Sequence, residues 1–190
     1  MSRSTTRSIR LLAVVAAVCL TTVGVLAGQQ PPPKPPVSGT QTLPGGASQM
    51  QETHGDWRVT CAQPNGQKVC TLSQQLADQN SRQLVLGIEL VAKTPDRGEG
   101  TLIMPFGLAL DKGVTLQVDD DGAPMVKTFR TCVPAGCLVA LSLDSAQLTA
   151  LRKGTVLNVK ATADGGKEAA FKVSLTGFGS AFDRTSVLSR

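Results

Sequence analysis

The chain has 190 residues, of which 41% are apolar and only 3% aromatic, with one Trp and no Tyr. That length allows one small domain plus extensions, with a core built from Leu, Val, Ile and Ala. The net charge of +5 includes Arg3, Arg7 and Arg10 at the N-terminus. No Lys/Arg cluster follows residue 28, so a nucleic-acid footprint is not expected.

Residues 1–27 fit an export signal: a charged start, an apolar run over residues 11–26, and Val25-Leu26-Ala27 as a small-residue cleavage pattern before Gly28. The apolar run is short for a spanning helix, which needs about 20 residues, and an uncleaved N-terminal anchor is the alternative. Cys19 follows Val18 rather than the small residue a lipid-modified cysteine requires, and reads as part of the apolar run. Residues 28–50 hold six of the eleven prolines and almost no charge. Such a stretch buries too little apolar area to fold, so it reads as a Pro/Gly-rich disordered linker, either a tether or a simple tail.

The folded domain is expected over residues 51–190. Residues 56–61 (DWRVTC) alternate, with Trp57, Val59 and Cys61 on one face, and Pro64-Asn65-Gly66 is a turn before a second strand over 69–76. Residues 84–92 (LVLGIELVA) suit a central strand covered on both sides. A strand over 101–106 must end at Pro105, which has no N–H to donate. Residues 114–118 alternate, and Asp121-Gly122 signals a tight turn. Strands over 126–132 and 137–143 flank the turn Val133-Pro134-Ala135-Gly136. Asp144 caps a short helix bearing Leu148 and Leu151, with Arg152 and Lys153 at its end and Gly154 to stop it. A hairpin over 156–161 and 169–175 follows, and residues 177–182 read as a last strand or packed extension. About nine short strands and one short helix predict an all-β sandwich.

Cys61, Cys70, Cys132 and Cys137 form an even set, which in an exported chain implies two disulfides. Four cysteines allow three pairings. Proximity favours Cys61–Cys70 and Cys132–Cys137, each contributing about 2–3 kcal/mol on the chain-entropy account.

Several local runs recur in one order: Gly55-Asp56-Trp57 before Cys61 and Cys70; Met104-Pro105-Phe106-Gly107-Leu108 before Asp111-Lys112-Gly113-Val114 and an acidic turn; Phe129-Arg130-Thr131-Cys132 before Gly136-Cys137; and Ser174-Leu175-Thr176-Gly177-Phe178. Over residues 52–183 this resembles the invasion-associated locus B family of exported bacterial proteins. The resemblance implies a periplasmic or surface-exposed domain with an immunoglobulin-like sandwich fold, and it carries over no catalytic residues.

The candidate chemistry is sparse. His54 is the single histidine, so any Ser-His or Cys-His arrangement would use it; its place after the linker reads as a solvated boundary residue with loose geometry. Cys132 and Cys137 enclose four residues, where redox pairs usually enclose two at a helix N-terminus. Cys61 and Cys70 are too widely spaced for a zinc knuckle. Asp119, Asp120 and Asp121 lack the further acids of a calcium loop and read as a solvated hairpin tip. Met50, Met104 and Met125 are scattered and have no His partner for copper. Arg130 is the possible ligand contact. Alternation places it with Cys132 on one face, opposite Phe129 and Thr131, as a fixed fork for a carboxylate or phosphate; the alternative is an ion pair with one of the domain's acids.

No catalytic residue, metal or cofactor is therefore expected. The sequence reads as a non-catalytic binding or accessory module of the cell envelope, in the periplasm or at the cell surface. Its expected partner is another envelope protein, and its only membrane contact is a possible uncleaved anchor. A hydrolase using loop carboxylates and a surface protein contacting host cells are the alternatives.

Overall fold

A computed structural model describes residues 47–190. The expected export signal and most of the proline-rich stretch lie outside the described residues. Eleven strands and two α-helices follow in the order β1 (Gln49–His54), β2 (Trp57–Ala62), β3 (Val69–Ala77), β4 (Leu84–Thr94), β5 (Arg97–Met104), β6 (Val114–Val118), β7 (Met125–Lys127), β8 (Phe129–Val133), β9 (Gly136–Leu143), α1 (Ser145–Lys153), β10 (Val156–Thr162), β11 (Glu168–Ser174) and α2 (Phe178–Leu188). The strands form two sheets, one of seven in the order β1-β2-β3-β4-β5-β9-β8 and one of four in the order β11-β10-β6-β7. All pairs of named strands are antiparallel. The all-β sandwich is thus present, with more strands than expected and a second helix.

Period-two alternation sets the core. On the large sheet Trp57, Val59, Cys61, Leu72, Leu90, Leu102, Val139 and Leu141 are buried; Val114, Leu116, Leu157, Val159 and Val173 answer from the small one. The helix α1 forms as the sequence requires: Asp144 and Gln147 make a reciprocal capping box, and Gly154 ends it. The segment after Gly177 is not a strand. It is α2, whose buried Phe178, Ala181, Phe182, Thr185 and Leu188 recur at helical spacing. This helix contacts β1, β2, β3 and β4 and extends the cover over that part of the large sheet. The polar strand β1 also escaped the sequence reading, and it begins at Gln49, within the stretch that composition assigns to the linker.

Two distant glycine turns lock together. Gly55 (φ +57°) turns β1 into β2, and a Cβ there would lie 2.5 Å from the Thr176 carbonyl oxygen. Gly177 (φ +86°) starts α2, and a Cβ there would lie 2.0 Å from the His54 oxygen. Both positions need φ > 0 and close backbone approach, which glycine supplies. Beside this junction Trp57 Nε1 donates to the Ser174 oxygen at 2.9 Å, and its ring meets Phe178 edge-on at 5.1 Å. The buried Gln74 side chain donates to the Ser174 oxygen and accepts from the Ser174 N–H, both at 3.0 Å. The opening and closing sequence runs are therefore two halves of one packing device.

Candidate functional site: an apolar cleft beside a disulfide hairpin

Pro105 ends β5 at Met104 because its ring nitrogen cannot join a ladder. The β4–β5 ladder begins at Gly87–Ile103, so the start of β4 runs on past the last rung. Between these diverging ends lies an open cleft of about 440 Å³, lined among others by Leu84, Val85, Ile103, Pro105, Phe106 and Pro134. None of its lining residues carries an ionisable side chain. Its rim is apolar and wet: Phe106 is 62% exposed and Leu84 39%. A volume of this size is in the range of ligand-binding clefts.

One wall is the β8–β9 hairpin. Cys132 pairs with Cys137 across it, and its Pro134-Ala135 turn lines the cleft. Cys61 pairs with Cys70 across β2 and β3. The expected face of Arg130 needs correction. Phe129 pairs with Val139 and Thr131 with Leu138, so Arg130 is the extra residue of a β-bulge. The bulge resets the alternation: Phe129 turns toward the core, Arg130 stays exposed, and Arg130 has no ion pair among the described residues.

His54 also differs from expectation. It is not loose but closes β1, with its side chain 21% exposed and Nε2 3.3 Å from Glu52 Oε2. Glu52 in turn accepts from Arg184 Nε at 2.8 Å and Nη2 at 2.7 Å, tying β1 to α2. The Arg184 guanidinium, with a smaller contribution from His54 and against the opposing effect of burial, holds the Glu52 carboxyl below its ordinary value. Asp78 and Asp96 are also lowered, by the Ser81 amide and the Thr94 hydroxyl respectively.

Asp119 is committed to structure. Its carboxylate accepts from the Thr155 and Val156 amides and its carbonyl from Asn158. Among the described residues no three His, Cys, Asp or Glu side chains converge as metal ligands. Two further open clefts hold charged side chains. One, of about 420 Å³, includes Asp56 and Arg58; the other, of about 460 Å³, includes Glu99 and Lys127. Each contains a single carboxylate. Phe106 and the cleft around it were not among the sequence candidates. The available signal was an aromatic residue stranded between Pro105 and Gly107, in a turn unsuited to a core position.

The sequence profile of the invasion associated locus B (IalB) proteins matches residues 57–186. The chain belongs to this family. An invasion protein B homologue of Brucella abortus strain 2308 is 43% identical over 150 residues, covering 78% of this chain and 86% of the relative. Invasion protein B of Bartonella bacilliformis is 34% identical over 152 residues, covering 78% and 81%. The crystal structure of invasion associated protein B from Bartonella henselae is similar with a TM-score of 0.69 and 34% identity, covering 73% of this chain and 96% of that one. The family profile spans Gly177, both disulfides and the cleft, and begins just after the Gly55-Asp56 turn. Among the described residues, no helix is long and apolar enough to cross a membrane.

Proposed function

We propose that this member of the invasion associated locus B family is an exported, non-catalytic binding module of the bacterial cell envelope. In this reading it receives an apolar segment of another envelope protein in the Leu84–Phe106–Pro134 cleft. The observation that carries the reading is a cleft with an exposed aromatic rim and no ionisable lining group. Such a surface supplies desolvation and shape, whereas acid–base or nucleophilic work needs a convergent titratable set. Two disulfides and the export-signal pattern support secretion across the inner membrane. The names of the relatives support a second reading, in which the same cleft faces outward and contacts a host cell.

Crosslinking pull-downs from intact cells test the reading, with wild type compared against Phe106→Ser and Ala135→Asp. Both positions are exposed, so melting temperature should hold while the main crosslinked partner is lost. Recovery of the same partners by both variants places binding elsewhere.

A further inference from the structure

A sheet edge presents unpaired main-chain groups, and proteins usually blunt it with bulges, charges or brevity. Three of the four edges here are blunted. In β8 the Arg130 bulge breaks the ladder. The strand β7 has only three residues, and β11 carries Glu168 and Lys172. The fourth edge, β1, has neither a bulge nor brevity, and its one acidic residue, Glu52, is matched by Arg184. It makes six consecutive pairs with β2 without a shift, its sequence QMQETH holds neither Lys nor Pro, and no described strand lies beyond it.

The direction of its free groups follows from the hairpin. The turn Gly55-Asp56 closes on the pair His54–Trp57, and a two-residue turn closes on a pair that exchanges both main-chain bonds. Bonded and non-bonded pairs alternate, so Met50, Glu52 and His54 turn their N–H and C=O groups toward β2. Gln49, Gln51 and Thr53 turn theirs outward. The Cα separation of 4.1 Å between Cys61 and Cys70 agrees, since it marks a non-bonded pair and directs the Cys61 main chain toward β1.

We propose that β1 pairs with β1 of a second copy of this chain, antiparallel about a two-fold axis through Gln51, joining two seven-stranded sheets edge to edge. The charge pattern selects a second copy as the occupant. About that axis Gln51 meets Gln51 of the second copy and Gln49 meets Thr53, all uncharged. On the other face Met50 meets Glu52 of the second copy, whose charge is already matched by Arg184. No like charges are opposed, and the contact is self-complementary, as an isologous interface requires. The proposal does not depend on the cleft, which lies at a different part of the molecule's surface from the β1 edge.

Sedimentation velocity on the full chain, from about 1 to 100 µM, should show a monomer–dimer equilibrium. Gln51→Pro removes only an outward N–H, and Gln51→Lys sets two ammonium groups across the axis. Each should weaken the dimer about tenfold or more while leaving the melting temperature unchanged. Gln51→Cys should form an intermolecular disulfide on mild oxidation, because bonded antiparallel pairs place Cα atoms about 5.5 Å apart. A wild-type monomer throughout the range, a dimer indifferent to Pro and Lys, or a Gln51→Cys chain that does not crosslink would each overturn the proposal.

Discussion

The two disulfides share a chemistry and a placement, each joining facing residues of adjacent antiparallel strands, yet they do different work. Cys61 and Cys70 are 0% and 3% exposed and belong to the main core cluster, together with Val59, Leu72 and Trp57. The other bond has Cys137 buried but Cys132 exposed, and its hairpin turn forms a wall of the cleft. The first is a packing element that happens to be covalent. The second holds a surface feature in shape. Access controls thiol exchange as much as chemistry does, so the same bond type should be inert in one place and reachable in the other.

The sharpest way to break this contrast is to remove each bond in turn. Replacing Cys61 and Cys70 together by Ser deletes the bond and buries two hydroxyls where apolar side chains pack, for an expected loss of about 3–5 kcal/mol by denaturant titration. Replacing Cys132 and Cys137 together by Ala should cost less, about 2–3 kcal/mol, because its ring is short and one end is already in solvent. That variant should also loosen the cleft wall and weaken partner recovery more than its stability loss explains. A graded reductant with mass-spectrometric thiol mapping sharpens the comparison. Cys132 and Cys137 should be modified before Cys61 and Cys70, and the reverse order would show that burial does not separate the two bonds.

The smallest effect concerns the ion pair that fastens β1 to α2. Glu52→Gln should cost about 1 kcal/mol at neutral pH, a modest figure because both side chains are partly exposed and screened. Arg184 lowers the folded-state Glu52 value below its ordinary 4.5. The contribution is therefore fully present above the unfolded value and disappears as pH falls through the lowered folded value. Wild type and Glu52→Gln should differ in melting temperature at pH 7 and converge only in acid, once pH has fallen through the lowered folded value. A difference that persists unchanged in acid would mean that the side chain acts through packing rather than charge.

Most strands were legible because their faces alternate, and α1 was legible because Asp144, Gln147 and Gly154 are all local signals. The strand β1 was not. Its core-facing positions are Met50, Glu52 and His54, and two of those three are polar because Glu52 meets Arg184 and His54 meets Glu52 rather than a leucine. The helix α2 carried a readable signal in Phe178 and Phe182, spaced by four, but Gly177 and Gly179 around the first of them pointed to irregular backbone. The Arg130 bulge left no local mark, since alternation continues through it in the sequence and only the register with Val139 and Leu138 shows the extra residue. The cleft was least legible of all. It exists because β4 outruns β5 while the β8–β9 hairpin closes one side, and no single window of sequence contains those three pieces.

The placement of α2 has a consequence for timing. Trp57 is covered by Phe178, and its indole N–H is bonded to Ser174, 117 residues further along the chain. A chain that emerges N-terminus first therefore carries an uncovered Trp57 until α2 has followed, and the core over β1–β4 closes only then. Contacts so distant in sequence form slowly, so the core over β1–β4 is among the last parts of the domain to close. The last helix thus acts as a latch on folding as well as a lid on the core.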